Sequence, residues 1–247
     1  NVLGRVGHGP RVIAFDAHVD TVEVGDPRLW SVDPFGAEMH EGVVYGRGAS
    51  DQKGGMAALV YAGALMKRLG LLHHWTVWIV GSVLEEDCDG LCWHYLLSEG
   101  VLRPEAVVLT EPTELQVYRG HRGRMEIEIT TRGLSCHGSA PERGVNAIYK
   151  MAPVVRGIEG LHERLPRDEF LGAGSVTVSE IRSTGPSLCA VADSCTIHLD
   201  RRLTAGETDD GALDEIRRVL AAAEQGDAEV EVPEFRRASH TGLVYPM

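Results

Sequence analysis

Apolar positions fall into short continuous runs in the first half of this chain and into regular alternations in the second. Arg11 to Phe15 predicts a buried strand, and Asp16-Ala17-His18-Val19-Asp20 follows at its end. Asp26 to Phe35, with two prolines and Trp30, predicts a loop. Val43 to Tyr45 predicts a short strand and Met56 to Leu69 an apolar-rich helix ended by Gly70. Trp75 to Leu84 is a continuous apolar run suited to a central strand, and it delivers Glu85-Glu86-Asp87. Gly90 to Glu99 predicts a helix stopped by Gly100, and Ala106 to Leu109 a strand ending at Thr110-Glu111-Pro112. Strand, acid, helix, strand, acid is an α/β pattern with polar residues along one edge of a sheet.

The period changes after about Val117. Arg124 to Arg132 alternates as a half-buried strand, with Met125, Ile127 and Ile129 on one face. Asn146 to Leu165 predicts a helix whose internal proline is expected to offset its first turn. Ser175 to Ile181 and Cys195 to Leu203 read as strands, Asp209 to Glu224 as an amphipathic helix, and Val230 to Val232 as a last strand. The order β-α-β-β-α-β is the ferredoxin-like pattern. The expected organisation is an α/β domain over residues 1–116, a ferredoxin-like domain over 117–232, and a segment 233–247 that starts back toward the first domain.

Composition adjusts this picture little. The 247 residues suffice for one large or two modest domains, and the hydrophobic and charged content is that of a globular protein. No run of about eighteen apolar residues is present, so no membrane span is expected. A net charge of −12 argues against nucleic acid as a partner. Five cysteines (Cys88, Cys92, Cys136, Cys189, Cys195) are an odd number without a paired framework, which suits reduced thiols and a cytoplasmic location. The chain opens at Asn1 and stops at Met247 after an apolar Gly-Leu-Val-Tyr-Pro run, and the expectation is a piece cut at both ends of a longer protein.

The chemistry lies at the predicted strand ends. Tyr45 to Met56 packs four glycines and Asp51 into a strand-helix joint, the place where open α/β sheets carry their sites. A phosphate loop needs Gly before its Lys and Ser or Thr after it. Here Lys53 follows Gln52 and precedes Gly54, which removes nucleotide binding. His18 and Asp20, two apart at a strand end, suit a metal-ligating imidazole whose other nitrogen is held by a carboxylate. Glu85 and Glu86 are adjacent acids that repel unless a cation or proton holds them; with a metal present, one can ligate while the other stays free as a base. Taken singly, each of these, and Glu111, is more often a solvated polar group than a ligand. Taken together, His18, Asp51, Glu86 and Glu111 each follow an apolar strand, and one metal site explains them better than four coincidences. Mixed His and carboxylate donors suit zinc, cobalt or manganese, and a carboxylate can bridge two ions.

These motifs resemble the co-catalytic zinc exopeptidases and deacylases of clan MH, which include acetylornithine deacetylase and succinyl-diaminopimelate desuccinylase. The likeness rests on His18-Val-Asp20, Gly46-Arg-Gly-Ala-Ser-Asp51-Gln-Lys-Gly-Gly55, Glu85-Glu86, Glu111-Pro112, Cys136-His137-Gly-Ser-Ala-Pro141 and Asp200-Arg-Arg202-Leu. Within the family, Glu85 to Trp93 and Tyr118 to Arg124 are most similar to the branch of selenium-metabolism hydrolases. The resemblance implies an α/β catalytic domain of zinc-exopeptidase type with an inserted ferredoxin-like α+β lid that forms a homodimer. It implies two zincs per active site and hydrolysis of an amide bond in an N-acyl amino acid or small peptide. In that scheme Asp51 bridges the ions, His18 and Glu111 complete one site, Glu86 binds the other, and Glu85 is the general base. Asp20 supports His18, His137 stabilises the oxyanion, and Arg202 and Arg122 hold the substrate's carboxylate.

Two stretches depart from the family pattern. The second zinc's His, expected from a returning C-terminal segment, has no matching motif; His240 is the sole His there and nothing glycine-rich or apolar frames it. Leu188 to Ala192 also lacks the Asn and Pro of several relatives. Two other readings therefore stand beside hydrolysis: a non-catalytic metal- or ligand-binding relative, and a thiol hydrolase built on Cys136 and His137.

Overall fold

The computed structural model describes residues 1–88, 90–235 and 245–246. They divide into two compact units, Asn1–Tyr118 and Arg119–Met247.

In the first unit β1 (Val2–Val6), β2 (Arg11–His18), β5 (Trp75–Ser82) and β6 (Ala106–Leu109) form one sheet in the order β1-β5-β2-β6. β2 runs parallel to both β5 and β6, whereas β1 is antiparallel to β5. The parallel trio therefore ends along one edge, and His18, the Glu85-Glu86 pair and Glu111 all follow those ends. A small hairpin of β3 (Glu38–His40) and β4 (Val43–Tyr45) precedes helix α1 (Gly54–Arg68), and α2 (Leu91–Ser98) lies between β5 and β6. The core is built on Ala14, Val80, Leu96 and Leu102, with Leu3, Val12, Trp78, Trp93 and Tyr95 packed against it.

Two differences from expectation have local causes. β1 escapes a periodicity reading because Gly4 and Arg5 interrupt a short strand. The run Trp75 to Leu84 stops being strand at Ser82, and Leu84 takes a positive φ of 63°. That left-handed residue turns the chain just before the two glutamates.

The second unit has the β-α-β-β-α-β order. β7 (Gly123–Arg132), α3 (Ala147–His162), a minor pair β8 (Arg167–Asp168) and β9 (Gly172–Ala173), β10 (Ser175–Thr184), β11 (Ser194–Leu203), α4 (Asp209–Ala222) and β12 (Glu229–Glu231) follow in sequence. The sheet is antiparallel throughout in the order β10-β11-β7-β12, the ferredoxin-like arrangement. One face packs on the helices: Met125, Ile127 and Ile129 of β7 and Cys195, Ile197 and Leu199 of β11 meet Met151, Val154 and Ile158 of α3 and Ile216 and Leu220 of α4. Asn146 caps α3 through its side chain on the Ile148 N–H, and Thr208 caps α4 on the Gly211 N–H. Pro153 lies in the body of α3 rather than its first turn, on an exposed position past which the helix continues to His162. Among the described residues, no helix is long and apolar enough to cross a membrane. His240 lies outside the described residues, as does most of the segment 233–247 expected to return to the first unit.

Candidate metal centre

His18 closes β2 and is 1% exposed. Its Nδ1 lies 3.0 Å from the carbonyl oxygen of Asp20 and 3.6 Å from the Asp20 carboxylate. A carbonyl only accepts, so Nδ1 carries the proton and Nε2 is the nitrogen left to bind. The sequence placed the Asp20 carboxylate in that supporting role; the bond within reach is to the Asp20 backbone instead. The carboxylate is turned elsewhere and accepts the Glu86 N–H at Oδ2, 3.2 Å away.

Nε2 of His18 points into a group of acids. Asp51 Oδ1 is 2.8 Å away, Glu85 Oε2 3.8 Å and Glu111 Oε1 3.9 Å. Asp51 sits in an irregular segment, Ala49–Lys53, between Gly48 and α1, and a cis peptide joins it to Gln52. Gly48 has a φ of 76°, and a Cβ there would stand 2.7 Å from the Thr21 methyl and 2.9 Å from Lys53 Nζ, so this turn requires glycine. Asp51 faces back toward the end of β2, where its Oδ1 meets His18 Nε2.

Electrostatics fit a cation at this place. Burial pulls the His18 pKa down, but the Asp51 hydrogen bond and the Glu85 and Glu111 charges outweigh it and leave His18 above its ordinary value. Burial, followed by the Asp51 charge, pushes Glu111 above the usual carboxylate range against the opposing effect of His18 and Gln52. Without an ion, the Nε2–Asp51 contact needs a second proton on the ring. One divalent cation among these atoms removes that need and relieves the crowding of like charges. Suitable atoms of His18, Asp51 and Glu111 all lie within 4.8 Å of one another. His and carboxylate donors at that spacing suit zinc or a similar divalent ion.

Glu86 is not in that three-residue group. Its Oε1 accepts the Val22 N–H at 3.2 Å. The remaining candidates belong to the second unit. His137 is exposed, and its Nδ1 accepts both the N–H (3.1 Å) and the hydroxyl (2.8 Å) of Ser139. A neutral His137 therefore presents an Nε2–H donor outward. Arg122 donates to the Ala173 carbonyl at 2.8 Å. The Arg202 guanidinium makes a two-pronged pair with Asp200, 2.7 and 2.8 Å.

The Cys136 thiol faces the carbonyls of His137 (3.7 Å) and Ala140 (3.3 Å), so the structure pairs it with backbone and not with the His137 ring. That geometry does not support a thiol-imidazole nucleophile. Burial, then the Asp16 charge, pushes the Cys92 thiol up to about 11, which leaves it inert.

Sequence reasoning missed Gln52, Thr110 and Val22. Gln52 is 1% exposed and bonds both Thr110 and Glu111. No signal marks a glutamine in a glycine-rich loop as buried.

Comparison with known proteins places part of the chain in a family. The model of the peptidase dimerisation domain of the M20 group matches residues 119–228. Residues 119–228 are an M20 peptidase dimerisation domain. Across its full length the chain is 57% identical over 246 residues to "Uncharacterized protein YgeY" of Escherichia coli (strain K12), of which it covers 61%. It is 31% identical over 218 residues to acetylornithine deacetylase of Klebsiella pneumoniae (strain 342), covering 84% of this chain and 54% of that protein. Among solved structures, an M20 family metallo-carboxypeptidase from Sulfolobus solfataricus superposes with a TM-score of 0.68 at 18% identity, over 93% of this chain and 65% of the other. That likeness speaks for the fold: an α/β unit joined in sequence to a ferredoxin-like dimerisation domain. The chain spans roughly half to two thirds of the length of these relatives.

Proposed function

We propose that the protein is a metal-dependent hydrolase that cleaves the amide bond of an N-acyl amino acid or small peptide. The observation that carries this reading is the convergence of His18, Asp51 and Glu111 with Glu85 3.8 Å from the same imidazole nitrogen. One relative is named acetylornithine deacetylase and another succinyl-diaminopimelate desuccinylase 2, names that denote removal of an acyl group from an amine.

His18, Asp51 and Glu111 would hold one zinc, with cobalt or manganese as substitutes, and Asp51 with Glu86 would offer donors to a second. When bound, the metal lowers the pKa of a water and polarises the scissile carbonyl. Glu85, a carboxylate beside but outside the ligand group, would serve as the proton carrier between the attacking water and the departing amine. Asp20 keeps the His18 ring in one tautomer. His137, with its outward Nε2–H, is suited to donate to the developing oxyanion. Arg122 and Arg202 are the candidates for the substrate's carboxylate, where a guanidinium fork matches the geometry; at Arg202 the substrate would have to displace Asp200. A homodimer through the second unit and a cytoplasmic setting, where the cysteines stay reduced, complete the reading.

The test is metal content and turnover on a panel of N-acetyl and N-succinyl amino acids and dipeptides. The reading predicts hydrolysis that stops on chelation and returns with zinc. Tight zinc without hydrolysis of any member would favour a non-catalytic metal-binding relative.

A further inference from the structure

Gln52 lies between Asp51 and the first turn of α1 and is nearly sealed from solvent. Its amide orientation is fixed by chemistry. An ionised carboxylate only accepts, so the NH2 group faces Glu111 Oε1, to which it donates a hydrogen bond, and the oxygen faces Thr110. Thr110 Oγ1 lies 3.0 Å from Gln52 Oε1 and 3.1 Å from the Asp16 carbonyl oxygen, and the Thr110 N–H donates to that same carbonyl at 3.0 Å. Gly55 leaves room for the hydroxyl, since a Cβ there would come within 2.5 Å of it. Asp16 belongs to β2, two residues before His18. The series Asp16, Thr110, Gln52, Glu111 therefore references the carboxylate of Glu111 to the strand that carries His18.

We propose that Gln52 is a positioning residue that holds Glu111 as a one-oxygen metal ligand and thereby biases the centre toward zinc over manganese. The proposal rests on the metal site proposed above. Oε1, the oxygen the amide holds, is also the one 3.9 Å from His18 Nε2, so an ion would meet its second lone pair, and turning the carboxylate to offer both oxygens would strain that hydrogen bond. A low-coordinate ion such as zinc needs only one oxygen, whereas an ion preferring six oxygen-rich contacts gains from two. Groups that orient a metal's ligands typically change affinity by about 10- to 100-fold when removed.

The experiment is titration of the purified metal-free protein with zinc and with manganese, comparing wild type, Gln52→Met, Thr110→Val and Thr110→Ser. Gln52→Met keeps length and burial but loses the donor; zinc affinity should fall about tenfold while manganese affinity holds or rises, so the zinc-to-manganese ratio drops. Thr110→Val should shift the ratio in the same direction by less, and Thr110→Ser, which keeps the hydroxyl, should restore it. A variant that merely loosens the fold weakens both ions together, and the Thr110 pair decides the matter if Gln52→Met does not fold. An unchanged ratio in Gln52→Met or Thr110→Val overturns the proposal. Failure of the underlying site looks different: wild type would not bind zinc, or His18→Ala would bind it as well as wild type does.

Discussion

The two units put their polar residues to opposite uses. In the second, alternate residues of β7 and β11 point into one continuous apolar core, and the charged group sealed there, Arg201, is 1% exposed and paired with Glu207 and, at 3.1 Å, with Glu215. In the first, the core is small, β6 is exposed along its whole length, and the acids crowd at strand ends around one imidazole. Packing accounts for the second unit. In the first, like charges are brought together at a cost that a bound cation would offset.

That contrast can be broken most forcefully at Arg201. Arg201→Met should destabilise the second unit by about 3 kcal/mol, because it strands two partly buried carboxylates, and chemical denaturation would show it. Zinc binding by the first unit should survive under native conditions; its loss together with the fold would deny that the units are distinct. Next in size, Asp51→Asn should weaken zinc by at least about 100-fold, beyond the usual effect of an outer support, with little loss of metal-free stability. Calorimetry and thermal unfolding measure the two halves of that statement.

The pH dependence separates the units more finely. His18 and Glu111 both have folded pKa values raised above their ordinary 6.5 and 4.5. A raised folded pKa means stability that is fully present below the unfolded value and lost as pH rises through the folded one. Metal-free protein should thus lose stability in the first unit as pH climbs from about 4.5 past neutrality, and saturating zinc should flatten that slope. A slope of the opposite sign in the metal-free protein would contradict the crowding of acids. The smallest effect is expected at the exposed edge strand, where Val108→Thr should change stability by less than about 0.5 kcal/mol.

Much of this was legible in the residues. The acids at the ends of apolar runs and the β-α-β-β-α-β order both follow from period and spacing alone. The same alternation that buries Ile197 and Leu199 also sends Arg201 toward the helices and Arg202 to the other face, so parity distinguishes two adjacent arginines. What the sequence could not convey were effects of three-dimensional crowding. The positive φ at Leu84 reorients Glu85 and Glu86, and the backbone, rather than the side chain, of Asp20 holds His18. The burial of Gln52 depends on Thr110 and Glu111, which are 58 and 59 residues away. The contact of the Glu86 carboxylate with the Val22 N–H likewise depends on a fold that brings together residues far apart in sequence.

In the proposed function, Glu85 does chemistry beside a metal held by His18, Asp51 and Glu111. The most direct measurement is zinc titration and turnover on the same preparation of Glu85→Gln. Zinc affinity within about threefold of wild type, with turnover reduced by about 100- to 10,000-fold, is the predicted result for loss of a general base. Turnover close to wild type with zinc bound would contradict it.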